Sequence, residues 1–324
     1  MPVWEALPCD PRTTAELRAL LSAGRLPSSL LFGGPPGSGK RAAAVAAAQA
    51  LLCTAEDPPC GTCSACRRAS AGQHPDFQIW EAEGREFKVE QARALRAATH
   101  LRPFEAPAQV HVIAEAERMN EESSNALLKT LEEPSPHAVL ILLTISPSLL
   151  LPTIRSRCRM LRFAPLSEEA IRVRLESEDS LAAAEAAWRA RLSRGSLARA
   201  RQLSPEEPSR AADLVGRLEE LAHSPSPGAV VGAAARWAEE KPPERPIERL
   251  LEICRDAMVS AEGAGAQALL HADLEAPLAR LGAKLGPRLP AAVERLEGAL
   301  YDLRRPMKAQ LLLEEVTLLL LGGE

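Results

Sequence analysis

Two groups of residues in this 324-residue chain have the types and spacing to do chemistry. The first is Gly34-Pro35-Pro36-Gly37-Ser38-Gly39-Lys40. It follows an apolar run and opens a helical one. In that setting glycines turn backbone N–H groups inward, a helix N-terminus adds a favourable dipole, and the lysine meets outer phosphates. A hydrolytic phosphate loop also needs Ser or Thr after the lysine to ligate Mg²⁺, and an Asp at the end of a neighbouring apolar strand. Arg41 occupies the first of these positions, and a guanidinium does not coordinate a cation. In Val110-His111-Val112-Ile113-Ala114-Glu115-Ala116-Glu117, Ala114 occupies the second. Glu115 stands where a water-activating carboxylate would sit, or is a solvated acid leading a helix. Gly34, Gly37, Ser38, Gly39 and Lys40 therefore form a vestigial phosphate loop. Whether ATP or ADP still binds is left open by these residues, while Mg²⁺ and turnover are not expected.

The second group is Cys53, Cys60, Cys63 and Cys66, spaced C-x6-C-x2-C-x2-C. Four thiolates at these separations can close a tetrahedral zinc site, and turns at Pro58-Pro59 and Gly61 help the chain fold around it. Four protein ligands leave no position for water, so the expected zinc is structural. The other three cysteines, Cys9, Cys158 and Cys254, read as buried thiols. The six histidines are scattered and none is given a catalytic role.

The elements that must position these groups follow from the hydrophobic pattern. Short β-type runs cover Ser28–Phe32, Asp76–Glu81, Gln109–Ile113, Ala138–Ile145 and Cys158–Phe163. Helical patterns over Thr13–Ala23, Lys40–Leu52, Val89–Leu101 and Glu121–Glu132 alternate with them, which predicts a parallel α/β sheet. The runs at 109–113 and 138–145 are nearly all apolar, as in strands buried on both faces. After Phe163 only helical patterns remain, beginning with Ser167 as a cap before Glu168 and Glu169. Breaks are expected at Ser204–Ser209, at Ser224–Gly228 and at Lys241–Pro246. The expected division is 1–164, an α/β domain with a zinc module at about 53–66; 165–208, a small helical domain; and 209–324, a larger helical domain.

Composition narrows the class. Hydrophobic residues are 46% and charged residues 25%, the balance of a globular chain, and the net charge of −4 supplies no global field for nucleic acid. The start, Met1-Pro2-Val3-Trp4-Glu5, lacks a signal-peptide pattern, and Leu311–Leu321 is short and carries Glu314 and Glu315. Clustered cysteines suit a reducing compartment, so the expected location is the cytoplasm, with no membrane.

Three stretches carry a family likeness. Glu115-Ala116-Glu117-Arg118-Met119, Asn125-Ala126-Leu127-Leu128-Lys129-Thr130-Leu131-Glu132-Glu133-Pro134 and Ser156-Arg157-Cys158 resemble the bacterial DNA polymerase III clamp-loader ATPases. The resemblance covers residues 1–200 and thins to a similar helical layout beyond. It implies an AAA+ phosphate-loop domain with a five-stranded parallel sheet and inserted zinc module, a helical lid and a C-terminal helical collar. The family has a similar cysteine module with a slightly longer first gap. The resemblance also implies that Arg157 is an arginine finger reaching a neighbouring subunit's ATP. A permanently charged planar guanidinium suits that task; the plain alternative is a surface arginine among Arg155, Arg159 and Arg162. In Gly195-Ser196-Leu197-Ala198-Arg199-Ala200 the motor members carry a nucleotide-sensing arginine where Ala198 stands, with Arg199 adjacent. Arg41, Ala114 and Ala198 together imply a subunit that lends an arginine and does not hydrolyse ATP. The partners then implied are motor subunits of gamma/tau type, the delta subunit, the sliding clamp and primed DNA, in a hetero-oligomer. Two other functions stay open: an ATP-hydrolysing motor of the same family, and a zinc-dependent nucleic-acid-binding module.

Overall fold

A computed structural model of the chain describes residues 3–84, 86–242, 244–301 and 309–322. They divide into two compact units, with the boundary between Gln202 and Leu203. No helix among the described residues is long and apolar enough to cross a membrane.

The first unit is built on a parallel sheet. Its strands are β1 (Ser29–Gly33), β2 (Phe77–Trp80), β3 (Gln109–Ile113), β4 (Ala138–Thr144) and β5 (Arg159–Arg162). Their order is β2-β3-β4-β1-β5, and each pairing is parallel. The strands start and stop within two residues of the predicted runs. Every residue of β1 and β3 is buried, because helices cover both faces and a parallel sheet has no wet side. One face packs Leu30, Phe32, Val110, Val112, Ile141 and Leu161 under the alanine-rich helix Lys40–Leu52. The other packs Leu31, Ile113, Leu140 and Leu142 against Leu95, Leu127 and Ile154. Alanines at positions 43, 44, 46, 47 and 48 let the Lys40–Leu52 helix lie close to the sheet, and all five are buried.

Three short helices close this unit, Glu168–Glu178, Ala183–Leu192 and Leu197–Gln202. Ser167 caps the first, its side chain accepting the Ala170 N–H. Leu166, Ile171, Leu175, Ala186, Ala190, Leu197 and Ala200 form their own small core.

The second unit is helical. Its helices are Glu207–His223, Pro227–Ala238, Glu244–Ala261, Glu275–Leu285, Leu289–Tyr301 and Ala309–Leu321. The proline-rich breaks at Ser224–Gly228 and Lys241–Pro246 fall at helix junctions; Pro243 lies outside the described residues. Leu214, Leu218, Leu250, Ile253, Leu278, Leu296, Leu313 and Val316 make one continuous core.

Inside that unit lies a buried ionic cluster. The Glu207 carboxylate takes Arg245 at 2.7 Å and Arg249 at 3.1 Å. Arg245 also reaches Glu252, and Arg249 reaches Glu240 at 2.7 Å. Glu207 is 1% exposed, Glu252 0% and Arg249 4%. Each charge is matched, which matters because an unmatched buried charge costs several kcal/mol. Arg249→Ala removes one of the two guanidinium partners of Glu207 and should lower unfolding free energy by about 3 kcal/mol. Arg280→Ala, which breaks only the exposed pair with Glu219, should cost under about 1 kcal/mol. Urea unfolding of the two variants measures both values, and equal losses would contradict a special contribution from the buried cluster.

Candidate functional site

The carboxyl edge of the sheet assembles the site. The Gly34 N–H donates to the Thr144 carbonyl at 3.1 Å, so the phosphate loop leaves β1 tied to the end of β4. Residues Pro35 to Gly39 then turn into the helix starting at Lys40. Gly39 caps that helix in the left-handed region, with φ of +86°. The Lys40 ammonium folds back on its own loop. It donates to the carbonyls of Gly34 and Pro35, the latter at 2.7 Å, and lies 3.5 Å from Ser38 Oγ. Burial lowers its pKa below the usual lysine range, and the Glu117 carboxylate opposes that shift.

The loop's glycines face protein. A Cβ at Gly37 would stand 1.7 Å from Ser196 Oγ, and one at Gly39 would stand 2.1 Å from the Pro8 carbonyl oxygen. The helical end of this unit and its N-terminal segment thus both rest directly on the loop.

The two positions that would hold Mg²⁺ are occupied differently. Arg41 Nη1 donates to Glu81 Oε1 at 2.6 Å. Ala114 follows β3 and offers no ligand atom. Glu115 is paired with Arg118 at 3.2 Å. The donor set does not fit a magnesium ion. It does retain a cavity of about 580 Å³, lined in part by Pro8, Lys40, Arg41, Ala114, Leu197 and Arg201.

Sequence reasoning missed three members of this site. Glu81 holds Arg41 across 40 positions, and no local pattern announces that pair. Ser196 reaches the loop from a helical segment far along the chain. Arg201 lines the cavity with Ala198, while Arg199, the neighbour weighed as a sensing arginine, is not among the lining residues. Leu197, Ala198 and Arg201 share one helical face, so the three- and four-residue spacing was the available signal.

Arg157 lies at the turn between the short helix Pro152–Arg155 and β5. Its guanidinium donates to the Thr153 carbonyl at 3.0 Å and meets Glu132 at 2.5 Å. Both side chains of that ion pair are partly exposed, at 34% and 47%. Glu132 belongs to the Thr130-Leu131-Glu132-Glu133-Pro134 stretch, so two of the motif regions meet here. Arg159 instead pairs with Glu16 at 3.0 Å. Cys158 is partly buried and its thiol is pushed up to about 12 by burial.

The four clustered cysteines do come together. Their sulfurs all lie within 4.8 Å of one another, so the group can hold a metal ion. Cys53 and Cys63 sulfurs are 3.9 Å apart, and those of Cys60 and Cys66 are 4.0 Å apart. Zinc bound tetrahedrally at 2.3 Å per thiolate would set sulfurs about 3.8 Å apart. The short first gap is therefore no obstacle to closure. Cys63 caps the helix Ser64–Ser70 and its sulfur accepts the Cys66 N–H. Cys60 is held down to about 6, first by the Cys63 N–H and then by Thr62. Burial raises Cys66. The other three cysteines stand apart from this cluster; Cys9 and Cys254 are buried.

Comparison with known proteins agrees with the motif positions. Residues 9–167 match the family model described as DNA polymerase III, delta subunit. The DNA polymerase III subunit delta' of Bacillus subtilis is 35% identical over 171 residues, covering 52% of each chain. That of Pseudomonas aeruginosa is 45% identical over 132 residues, covering 40% of each. The DNA polymerase III subunit tau of Escherichia coli is 38% identical over 158 residues, covering 48% of this chain and 24% of that one. The chain thus spans about half or less of the length of these relatives. Identity to the delta' sequences, 35% and 45%, is similar to identity to the tau sequence, 38%.

The close packing of the loop makes a prediction. Gly37 has φ of +73° and Gly24 has φ of +61°, but a Cβ at Gly24 would meet nothing within 4 Å. Gly24→Ala should cost about 1 kcal/mol for its backbone alone. Gly37→Ala adds the clash with Ser196 and should cost about 2 kcal/mol or more beyond that. Thermal unfolding of the two variants gives the difference, and matched losses would mean that Ser196 yields freely.

Proposed function

We propose that this chain, a clamp-loader subunit of the delta-prime type through residues 9–167, is a non-hydrolysing stator of the DNA polymerase III clamp loader. The observation that carries this reading is the pairing of Arg41 with Glu81 and the alanine at position 114, in a phosphate-loop pocket otherwise retained. A motor needs a hydroxyl and a carboxylate on its metal; here both positions are altered while the loop, the lysine and the cavity remain. The role left to the chain in an ATP-driven assembly is to complete a neighbour's site and to hold the assembly together.

Arg157 is the residue assigned to the neighbour. Its pair with Glu132 is part-exposed, and exposed pairs contribute only about 0–1 kcal/mol. The guanidinium can therefore exchange that carboxylate for a phosphate at small cost. Its planar fork then stabilises charge developing on the transferred phosphoryl group.

The three-part division fits this role. In this reading residues 1–164 are the AAA+ domain, the helices from Glu168 to Gln202 the lid, and the unit from Leu203, a few residues before the expected boundary after 208, a collar that associates with the equivalent domains of motor and delta subunits. Leu311, Leu318 and Leu319 of the last helix are exposed, and burial between subunits would give these side chains apolar partners. Motor subunits, delta, the sliding clamp and primed DNA are the partners of this reading. Zinc on Cys53, Cys60, Cys63 and Cys66 is a structural ion that ties the helix Ser64–Ser70 to the end of the helix Lys40–Leu52.

The similarity to tau subunits favours one competing reading, an ATP-hydrolysing motor. The isolated chain should show no Mg²⁺-dependent ATP hydrolysis; steady hydrolysis abolished by Lys40→Ala would establish the motor instead. In an assembly reconstituted with motor, delta and clamp subunits, Arg157→Ala should lower DNA-stimulated hydrolysis and clamp loading while leaving association intact. Loss of an arginine finger costs on the order of 10³-fold at its own site, and less over the whole complex because other motor sites keep theirs. Arg157→Lys should rescue little, because an ammonium lacks the fork. Arg159→Ala is the control, and equal effects at the two positions would remove the finger assignment.

The metal has a separate test. Elemental analysis of protein purified without chelator should find one zinc per chain, consistent with a single four-sulfur site. Cys63→Ser should lower the zinc content and the midpoint of thermal unfolding together. Full occupancy in that variant would show that the ion lies elsewhere.

A further inference from the structure

The loop 100–108 joins the helix Val89–Thr99 to β3 and carries two large exposed apolar side chains, Leu101 at 65% and Phe104 at 82%. Side chains that bury so little cannot order their own loop through packing. Polar groups hold it instead. The buried Asp76 carboxylate accepts three successive backbone N–H groups, from Phe104 at 2.6 Å and from Glu105 and Ala106 at 3.0 Å each. The Glu105 carboxylate turns back toward the fold. Its Oε1 meets both Arg68 Nη2 and His74 Nε2, the latter at 3.0 Å. The Asp76 N–H donates to His74 Nδ1 at 3.1 Å. With that nitrogen an acceptor, the imidazole proton is on Nε2 and points to Glu105. On the β3 side, the Gln109 amide donates to the Arg102 carbonyl at 3.2 Å.

Arg68, His74 and Asp76 follow directly on Cys66 in the chain. The helix that bears Arg68, Ser64–Ser70, has only seven residues, far below the length at which a helix is stable alone in water. Two of the four clustered cysteines fix its first turn. Cys63 Sγ caps it by accepting the Cys66 N–H at 3.4 Å, and Cys66 is itself fully buried. Zinc on these sulfurs would therefore set where the helix, and the chain leaving it, come to rest. Gln49, whose amide donates to the Cys66 carbonyl at 2.9 Å, and Ala69, packed in the core, hold the helix independently of the metal.

We propose that zinc at the four cysteines is linked to the order of the loop 100–108 through Glu105, which Arg68 and His74 grip from the zinc side. Loss of the metal then releases the segment that displays Leu101 and Phe104 while the sheet stays folded. The inference rests on the zinc assignment above and extends it from the cysteine module to a loop distant in the chain.

The test is hydrogen exchange, read by mass spectrometry on the full-length protein. Elemental analysis measures zinc before and after chelation under reducing conditions. Chelation should speed exchange in peptides spanning residues 101–106 by about tenfold, because charge-assisted hydrogen bonds loosen. The β4 amides should stay protected. Glu105→Ala alters a half-exposed side chain and keeps all four cysteines. With zinc in place it should speed loop exchange by about threefold, as expected for partly exposed pairs, and it should shrink the further increase on chelation. Arg68→Ala should act in the same direction. Unchanged loop exchange in protein that has lost its zinc would overturn the proposal. So would loosening of β4 to the same extent as the loop, or an equal response to chelation in Glu105→Ala and the unaltered protein. Protein that carries no zinc as purified would overturn the zinc assignment together with this inference, which tells the two failures apart.

Discussion

The structure of the first unit depends on the parallel pairing of β1 with β4 on one side and β5 on the other. A parallel strand cannot be joined to its neighbour by a tight turn, so every connection must cross over a face of the sheet. Those crossovers bury both faces, and all strands consequently end at one edge. The phosphate loop, the residues after β3 and the end of β4 meet there because of this topology. Even the motif glycines answer to it, since their missing side chains leave room for Pro8 and Ser196 to lie against the loop.

Charge is handled differently in the two units, and the difference is one of solvent access. At the phosphate loop, Arg41 and Glu81 pair in water, so the bond is weak and open to exchange. In the helical unit, Glu207, Arg245, Arg249 and Glu252 are buried, so removing one partner leaves a charge unmatched and costs several kcal/mol. The first arrangement suits a surface that meets ligands or partners. The second ties the helix Glu207–His223 to the helix Glu244–Ala261 through matched charges. Arg157 and Glu132 belong with the first kind.

Much of the α/β unit was determined by the sequence itself. Apolar runs such as Val110–Ile113 and Val139–Leu143 are too continuous for a half-exposed strand, and every residue of the two strands that hold them is buried except the half-buried Val139. Gly39 before Lys40 announces the start of a helix, and Ser167 before two acids announces another. These are local effects, in which a residue's own conformational preference and its near neighbours decide the outcome. The cysteine spacing is local in the same sense, since four thiols within fourteen residues must remain close however the chain turns.

Tertiary structure alone decided which distant groups meet. Nothing within a few residues of Arg41 indicates Glu81, and nothing near Gly37 indicates Ser196. Arg245, Arg249, Glu252 and Asp256 recur at spacings of four, three and four residues, a pattern that by general rule marks the solvated face of a helix. All four are buried, because a neighbouring helix brings Glu207, and connecting segments bring Glu240 and the backbone N–H groups of Leu270 and His271, onto that face. A polar stripe does not encode whether water or matched charge will satisfy it. That choice is made only when the partner elements arrive, since the free energy of burying a charge is set by the groups around it and not by the residue that carries it.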